Sequence, residues 1–178
     1  MASFLQNDIP QEALDIITLG IQHEEQHQEL FWTDLKFTFS LNPLDIAYGG
    51  ALPFTASNEP KAMNFIPFHE GIVEIGATGE GFCYDNELGR HKVYLHDFEI
   101  ADRLVTNGEF IEFIEQGGYQ DFNCWHDEGW RWVNDEKIAA PLYWEKVDGL
   151  WTRYTLKGRR EVNPEEALAH ISFYEAFA

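Results

Sequence analysis

From Ile9 to Phe39 the apolar and polar residues run on without turn punctuation, and after Pro10 only Gly20 departs from good helix-forming composition. Asp8 suits the cap, Pro10 the first turn and Gln11 the capping-box position, so residues 9–39 are expected to form one helix roughly 45 Å long. A rod of that length needs partner helices to cover its apolar side, and no second helix of similar length follows. The mismatch predicts that further sequence lies upstream. Residues 41–70 carry Leu41-Asn42-Pro43, Gly49-Gly50 and Asn58-Glu59-Pro60, the composition of a connector, and a domain boundary is expected there.

Beyond it, short strand-like runs are expected at Gly71–Gly76, Lys92–Ile100, Trp130–Val133, Pro141–Trp144 and Leu150–Leu156. One helix interrupts them at Thr106–Gln116. Thr106 and Glu109 form its capping box, Phe110, Ile111, Phe113 and Ile114 its apolar face, and Gly117-Gly118 its stop. A second capping box, Ser172 with Glu175, announces a helix only three residues before Ala178, which predicts sequence downstream as well. The pattern is α+β, without internal repeats or low-complexity tracts.

Composition narrows the classes. Hydrophobic residues make up 44% of the 178 positions and aromatics 15%, enough apolar surface to offset the entropy of ordering. Thirty-one acidic against 12 basic residues give a formal charge of −19, which disfavours nucleic acid and anionic membranes as partners. The start, MASFLQNDIP, has no signal-peptide pattern, so a cytoplasmic setting is expected, with Cys83 and Cys124 as reduced thiols.

The candidate chemistry sits at His23-Glu24-Glu25-Gln26-His27-Gln28-Glu29. Residues four apart on a helix share a face, with Cβ atoms about 5–6 Å apart, so His23 and His27 can share one metal ion. Leu19, Gln26 and Leu30 fall on the same side. Imidazole suits zinc, iron, copper or nickel, and ligand type alone does not choose. The string also reads as HExxH, a zinc hydrolase motif with Glu24 as general base. Leu30 and Thr33 exclude the metzincin continuation, and a carboxylate ligand would have to come from Asp34, Asp45 or Glu59. A solvated Glu- and Gln-rich face is the plainer alternative.

The same residues match the HxxxHxE signature of the DinB-like helical domain of ergothioneine-type sulfoxide synthases, and the resemblance continues along the chain. Leu41-Asn42-Pro43-Leu44 through Tyr48 resembles that family's inter-domain connector. Gly81-Phe82-Cys83-Tyr84-Asp85-Asn86-Glu87, Val105-Thr106-Asn107-Gly108-Glu109-Phe110, Gly117-Gly118-Tyr119, Pro141-Leu142-Tyr143-Trp144 and His170-Ile171-Ser172-Phe173-Tyr174-Glu175-Ala176 follow in family order. Gly89 stands where the family usually has proline.

The resemblance implies three regions. Residues 1–40 would be the C-terminal helix of a DinB-like helical domain and 41–70 the connector. Residues 71–178 would be the N-terminal part of a formylglycine-generating-enzyme-type domain with a C-type-lectin-like fold. It implies an Fe(2+) enzyme that uses O2 to join a cysteine-derived thiol to the imidazole of a histidine derivative, leaving a sulfoxide. His23 and His27 would be iron ligands, Gln26 would bind the substrate imidazole, and Glu29 would orient a ligand or the helix. The family's third histidine comes from an earlier helix and its catalytic residues lie beyond Ala178, so this chain alone is expected to be inactive. A non-catalytic lectin-like binding module is a further alternative to the zinc hydrolase.

The remaining candidates have plain structural readings. His91, His96, His126 and His170 are expected to be structural, and the tryptophans Trp125, Trp130, Trp132, Trp144 and Trp151 to be core aromatics. Asp85-Asn86-Glu87 reads as a turn that caps backbone groups in preference to a calcium site.

Overall fold

The computed structural model describes residues 9–48 and 61–178. Asp8, Gly49-Gly50 and Asn58-Glu59-Pro60 lie outside the described residues. The chain is α+β. Helix α1 runs Gln11–Ser40, entered through Pro10, whose carbonyl accepts from Ala13 N at 3.0 Å and Leu14 N at 3.2 Å. None of its residues is buried, and Leu14, Ile16, Leu19, Ile21, Leu30, Phe31, Trp32 and Phe37 are exposed. No helix among the described residues is long and apolar enough to cross a membrane.

Among the described residues, seven strands and three further α-helices follow. Strand β1 (Phe65–Phe68) pairs with β4 (Phe98–Ala101), and β2 (Gly71–Ile75) pairs antiparallel with β3 (His91–Leu95), with Val73 opposite Val93. Strand β1 falls inside the stretch expected to be irregular. The single run expected over Lys92–Ile100 is two strands, because His96-Asp97 breaks it and Asp97 Oδ1 accepts from Glu70 N at 2.7 Å. Helix α2 (Asn107–Glu115) carries the expected box at Thr106 and Glu109.

Trp130–Val133 is not a strand. It lies within helix α3 (Asp127–Asp135), whose cap is His126, with Nδ1 accepting from Gly129 N at 3.2 Å. Asp127 and Glu128 in the first turn complement the positive end of the helix dipole. Pro141–Tyr143 is a turn, so the next strand, β5, runs Trp144–Val147. It pairs with β6 (Leu150–Thr155), and β6 pairs in turn with β7 (Gly158–Glu161), a strand the pattern did not suggest. The Ser172 capping box is followed by one turn of helix, α4 (Phe173–Phe177).

Contacts divide the chain into two compact units, 1–35 with 67–100 and 36–66 with 101–178. The second holds the core, where Phe110, Tyr119, Trp125 and Val133 are buried and Trp130, Trp132, Ile138, Leu168 and Tyr174 pack on them. Trp125 Nε1 donates to Gly118 O at 2.8 Å, satisfying the polar atom of a buried indole. Tyr119 is 3% exposed, and its hydroxyl donates to the carboxylate of buried Glu175; burial first, then that bond, raises the phenol pKa. The segment that follows α1 lies along the β5–β7 sheet: Tyr154 Oη donates to Ile46 O at 2.7 Å, and Tyr48 N to Leu156 O at 2.7 Å.

Candidate functional site

Helix α1 delivers the predicted pair as its periodicity requires. The imidazoles of His23 and His27 lie side by side, centroids 4.5 Å apart at 71°, both on exposed residues. Gln26, one turn after His23, and Glu29 are also exposed. Among the described residues no group of three or more His, Cys, Asp or Glu side chains gathers to hold a metal. The described chain therefore offers a two-imidazole edge.

The helix face that carries His23 continues toward its N-terminus as one wall of a cavity. Asp15, Thr18 and Leu19 form that wall, and Gly81, Phe82, Cys83, Tyr84, Asp85 and Leu88 form the other, enclosing about 660 Å3. Leu19 precedes His23 by four residues and so lies on its side of the helix. The loop that closes the cavity is held by its own carboxylates, which accept from its backbone amides. Tyr84 N donates to Glu87 Oε2 at 2.8 Å, Asn86 N to Asp85 Oδ1 at 3.0 Å, and Asp85–Glu87 make a 3-10 turn. Asp85, Asn86 and Glu87 are thus a capped turn, and Cys83 and Cys124 are both free thiols. The cavity was not legible in the sequence, because it depends on how a loop some sixty residues downstream packs on α1.

Other candidate residues take structural places. Asp45, one of the carboxylates a zinc hydrolase would need, is bound by Arg159 Nε at 3.0 Å. His126 caps α3, and His91 Nδ1 lies 2.9 Å from Gly89 O. Trp125, Trp130 and Trp132 belong to the core. His170 is the exception among the histidines read as structural, because it meets Lys36 and Tyr143 in a charged cluster taken up below.

Comparison with known proteins defines the class. Residues 51–178 match the sulfatase-modifying factor enzyme 1-like domain, and the chain belongs to that family. Three relatives bear the name hercynine oxygenase. The protein of Mycolicibacterium thermoresistibile is 31% identical over 173 residues, covering 96% of this chain and 37% of its own length. That of Mycolicibacterium smegmatis is 32% identical over 161 residues, 90% of this chain and 36% of its own length. That of Mycobacterium tuberculosis is 29% identical over 163 residues, 92% and 37% respectively. The chain thus spans little more than a third of these relatives. A match over 96% of the chain takes in the His23–Glu29 segment, which lies outside the 51–178 domain.

Proposed function

We propose that this chain is part of a non-haem iron(II), O2-dependent sulfoxide synthase that joins a cysteine-derived thiol to the imidazole of a histidine derivative. The observation that carries the reading is the pair of adjacent imidazoles on α1, in a segment aligned with proteins named hercynine oxygenase. Neutral imidazoles suit iron(II), and a pair one helical turn apart is the geometry two ligands of one ion need. His23 and His27 would hold the metal as two of its ligands, the rest coming from outside the described residues. Iron held there would supply O2 activation and a site for the thiolate.

The chain's own residues then have positional tasks. Gln26, on the His23 face, is suited to hydrogen-bond the substrate imidazole through its carboxamide, fixing which ring carbon faces the thiol. Glu29 is suited to orient a ligand through a hydrogen bond, as carboxylates commonly do around metal-bound imidazoles. In this reading α1 is the last helix of a DinB-like domain, and residues 71–178 open a C-type-lectin-like domain. The polypeptide is cytoplasmic, a setting in which Cys83 and Cys124 stay reduced. This stretch alone is inactive.

The test uses the polypeptide encoded by the full reading frame. With iron(II), hercynine and a cysteine-derived thiol it should consume O2 and release a sulfoxide-bridged product detectable by mass spectrometry. Since groups that merely support a metal ligand are worth 10–100-fold, His23→Ala or His27→Ala should lower turnover to about one hundredth or less. Full turnover in either variant, or stoichiometric zinc with peptidase activity in the wild type, would contradict the proposal.

A further inference from the structure

A second chemical cluster lies in the other compact unit and uses none of the residues proposed to hold iron or substrate. Lys36 Nζ stands 2.6 Å from His170 Nε2 and 4.4 Å from the ring centroid of Tyr143, on its face. The imidazole of His170 meets the Tyr143 ring edge-on, centroids 4.9 Å apart at 83°. The two residues that hold the ammonium both sit in the left-handed backbone region, Tyr143 at φ 75° and His170 at φ 65°, although neither is glycine. Such conformations persist where surrounding contacts impose them, and they concentrate at ligand-binding places.

The local charge is unbalanced. Arg153 lies close enough to Lys36 and His170 to disfavour a proton on each, and it is itself ion-paired with Glu166. Arg153 Nε is buried with no acceptor among the described residues. Desolvation first, then Arg153, brings Lys36 down to about 8. Desolvation, then Lys36 and Arg153, brings His170 down to about 4. At neutral pH His170 is therefore an uncharged acceptor for Lys36, although the residue as a whole is exposed. Among the described residues no carboxylate pairs with Lys36, whose partners are the His170 imidazole and the Tyr143 ring.

A cavity of about 520 Å3 adjoins the cluster. Tyr143 and His170 line it, and its remaining wall is largely apolar, including Trp132, Ile138, Pro141 and Leu142. Glu175 also borders it, but that carboxylate is occupied by the Tyr119 hydroxyl and by Ser172 N at 2.6 Å. An apolar cavity with a few convergent polar groups is the usual form of a small-molecule site.

We propose that Lys36, with Tyr143 and His170, binds the carboxylate of a small acid whose apolar or aromatic body enters this cavity. The anion supplies the counter-charge that Lys36 lacks among the described residues. Because it favours the ammonium, binding raises the Lys36 pKa, takes up protons near pH 8 and weakens as the pH rises further. His170, Tyr143 and Arg153 are the titratable groups that face Lys36, Glu166 pairs with Arg153, and Glu175 borders the cavity. Burial raises the Tyr143 phenol above its usual value, so Tyr143 stays neutral.

Phenylacetate and its uncharged analogue phenylacetamide are suitable probes, titrated into the whole chain by calorimetry or NMR. Phenylacetate should bind saturably near neutral pH and at least about tenfold more weakly 1.5 pH units above 8, while phenylacetamide should not saturate. Lys36→Met should weaken phenylacetate at least tenfold with helical content and Tm retained. No saturable binding up to about 10 mM, equal binding of the amide, a flat pH profile, or an unaffected Lys36→Met variant would each overturn the proposal. They would show the cluster to be only a strap on the end of α1. Should Lys36→Met fail to fold, the pH profile of the unsubstituted chain decides the question alone.

Discussion

Glu109 shows how much a single residue organises here. Its carboxylate receives Arg103 Nη1 at 2.9 Å, Arg103 Nη2 at 2.7 Å and Thr106 N at 2.8 Å. The Arg103 bonds first, then the Thr106 amide, hold its pKa down to about 2 from an ordinary 4.5. A depressed carboxylate contributes stability that is fully present above 4.5 and is lost as the pH falls toward 2. Glu109→Gln should therefore lower the urea midpoint near pH 7, and the gap to wild type should narrow as the pH falls through about 4 toward 3. A gap that stays constant with pH would show that the carboxylate's charge is not what matters. His23 and His27 were legible at this scale, since a spacing of four on a helix fixes their adjacency. Lys36 and His170 were not, because 134 residues separate them and no local pattern encodes their meeting.

At the scale of elements, the capping boxes at Thr106 and Ser172 marked helix starts correctly, whereas the apolar run Trp130–Val133, expected as a strand, is helical. Helix α2 carries both halves of its box, Glu109 N bonding to Thr106 Oγ1 at 3.3 Å and Thr106 N to the Glu109 carboxylate. Thr106→Ala should cost about 1 kcal/mol in equilibrium unfolding, and a loss within error would show the cap to be redundant. Trp130-Arg131-Trp132-Val133 has the aromatic and β-branched content of a strand, yet it is helical. Gly129 and Val133, four apart, are the buried residues of α3, and an imidazole caps it in place of the usual hydroxyl or carboxylate. The stop of α2 is equally specific. A Cβ at Gly118 would collide with the Phe113 ring, which packs against the core and cannot swing away freely. Gly118→Ala should destabilise by about 1–3 kcal/mol. An unchanged thermal midpoint would mean the ring has somewhere to go.

For the whole molecule, burial is distributed unevenly. Residues 101–178 hold the buried cluster, whereas α1 has no buried residue along its thirty positions. Helices draw most of their stability from packing, so the amides of α2, α3 and β6 should exchange slowest and those of residues 11–35 much faster. Hydrogen-exchange mass spectrometry would contradict this if α1 matched α2 in protection. The α+β pattern and the strands at β2 and β6 were readable from alternation and turns. Strand β7 was not, because Gly158-Arg159-Arg160-Glu161 has no apolar alternation. It becomes a strand by pairing with β6, where Arg160 faces Arg153 and Glu161 faces Thr152. The long bare helix carrying two imidazoles is what the functional reading rests on.

The most direct test is the iron content of the polypeptide from the full reading frame, measured by anaerobic equilibrium dialysis against iron(II) for wild type and a His23→Ala/His27→Ala double variant. One iron per wild-type chain and none above background in the variant is the expected result. An iron retained by the double variant at wild-type affinity would remove α1 from the metal site.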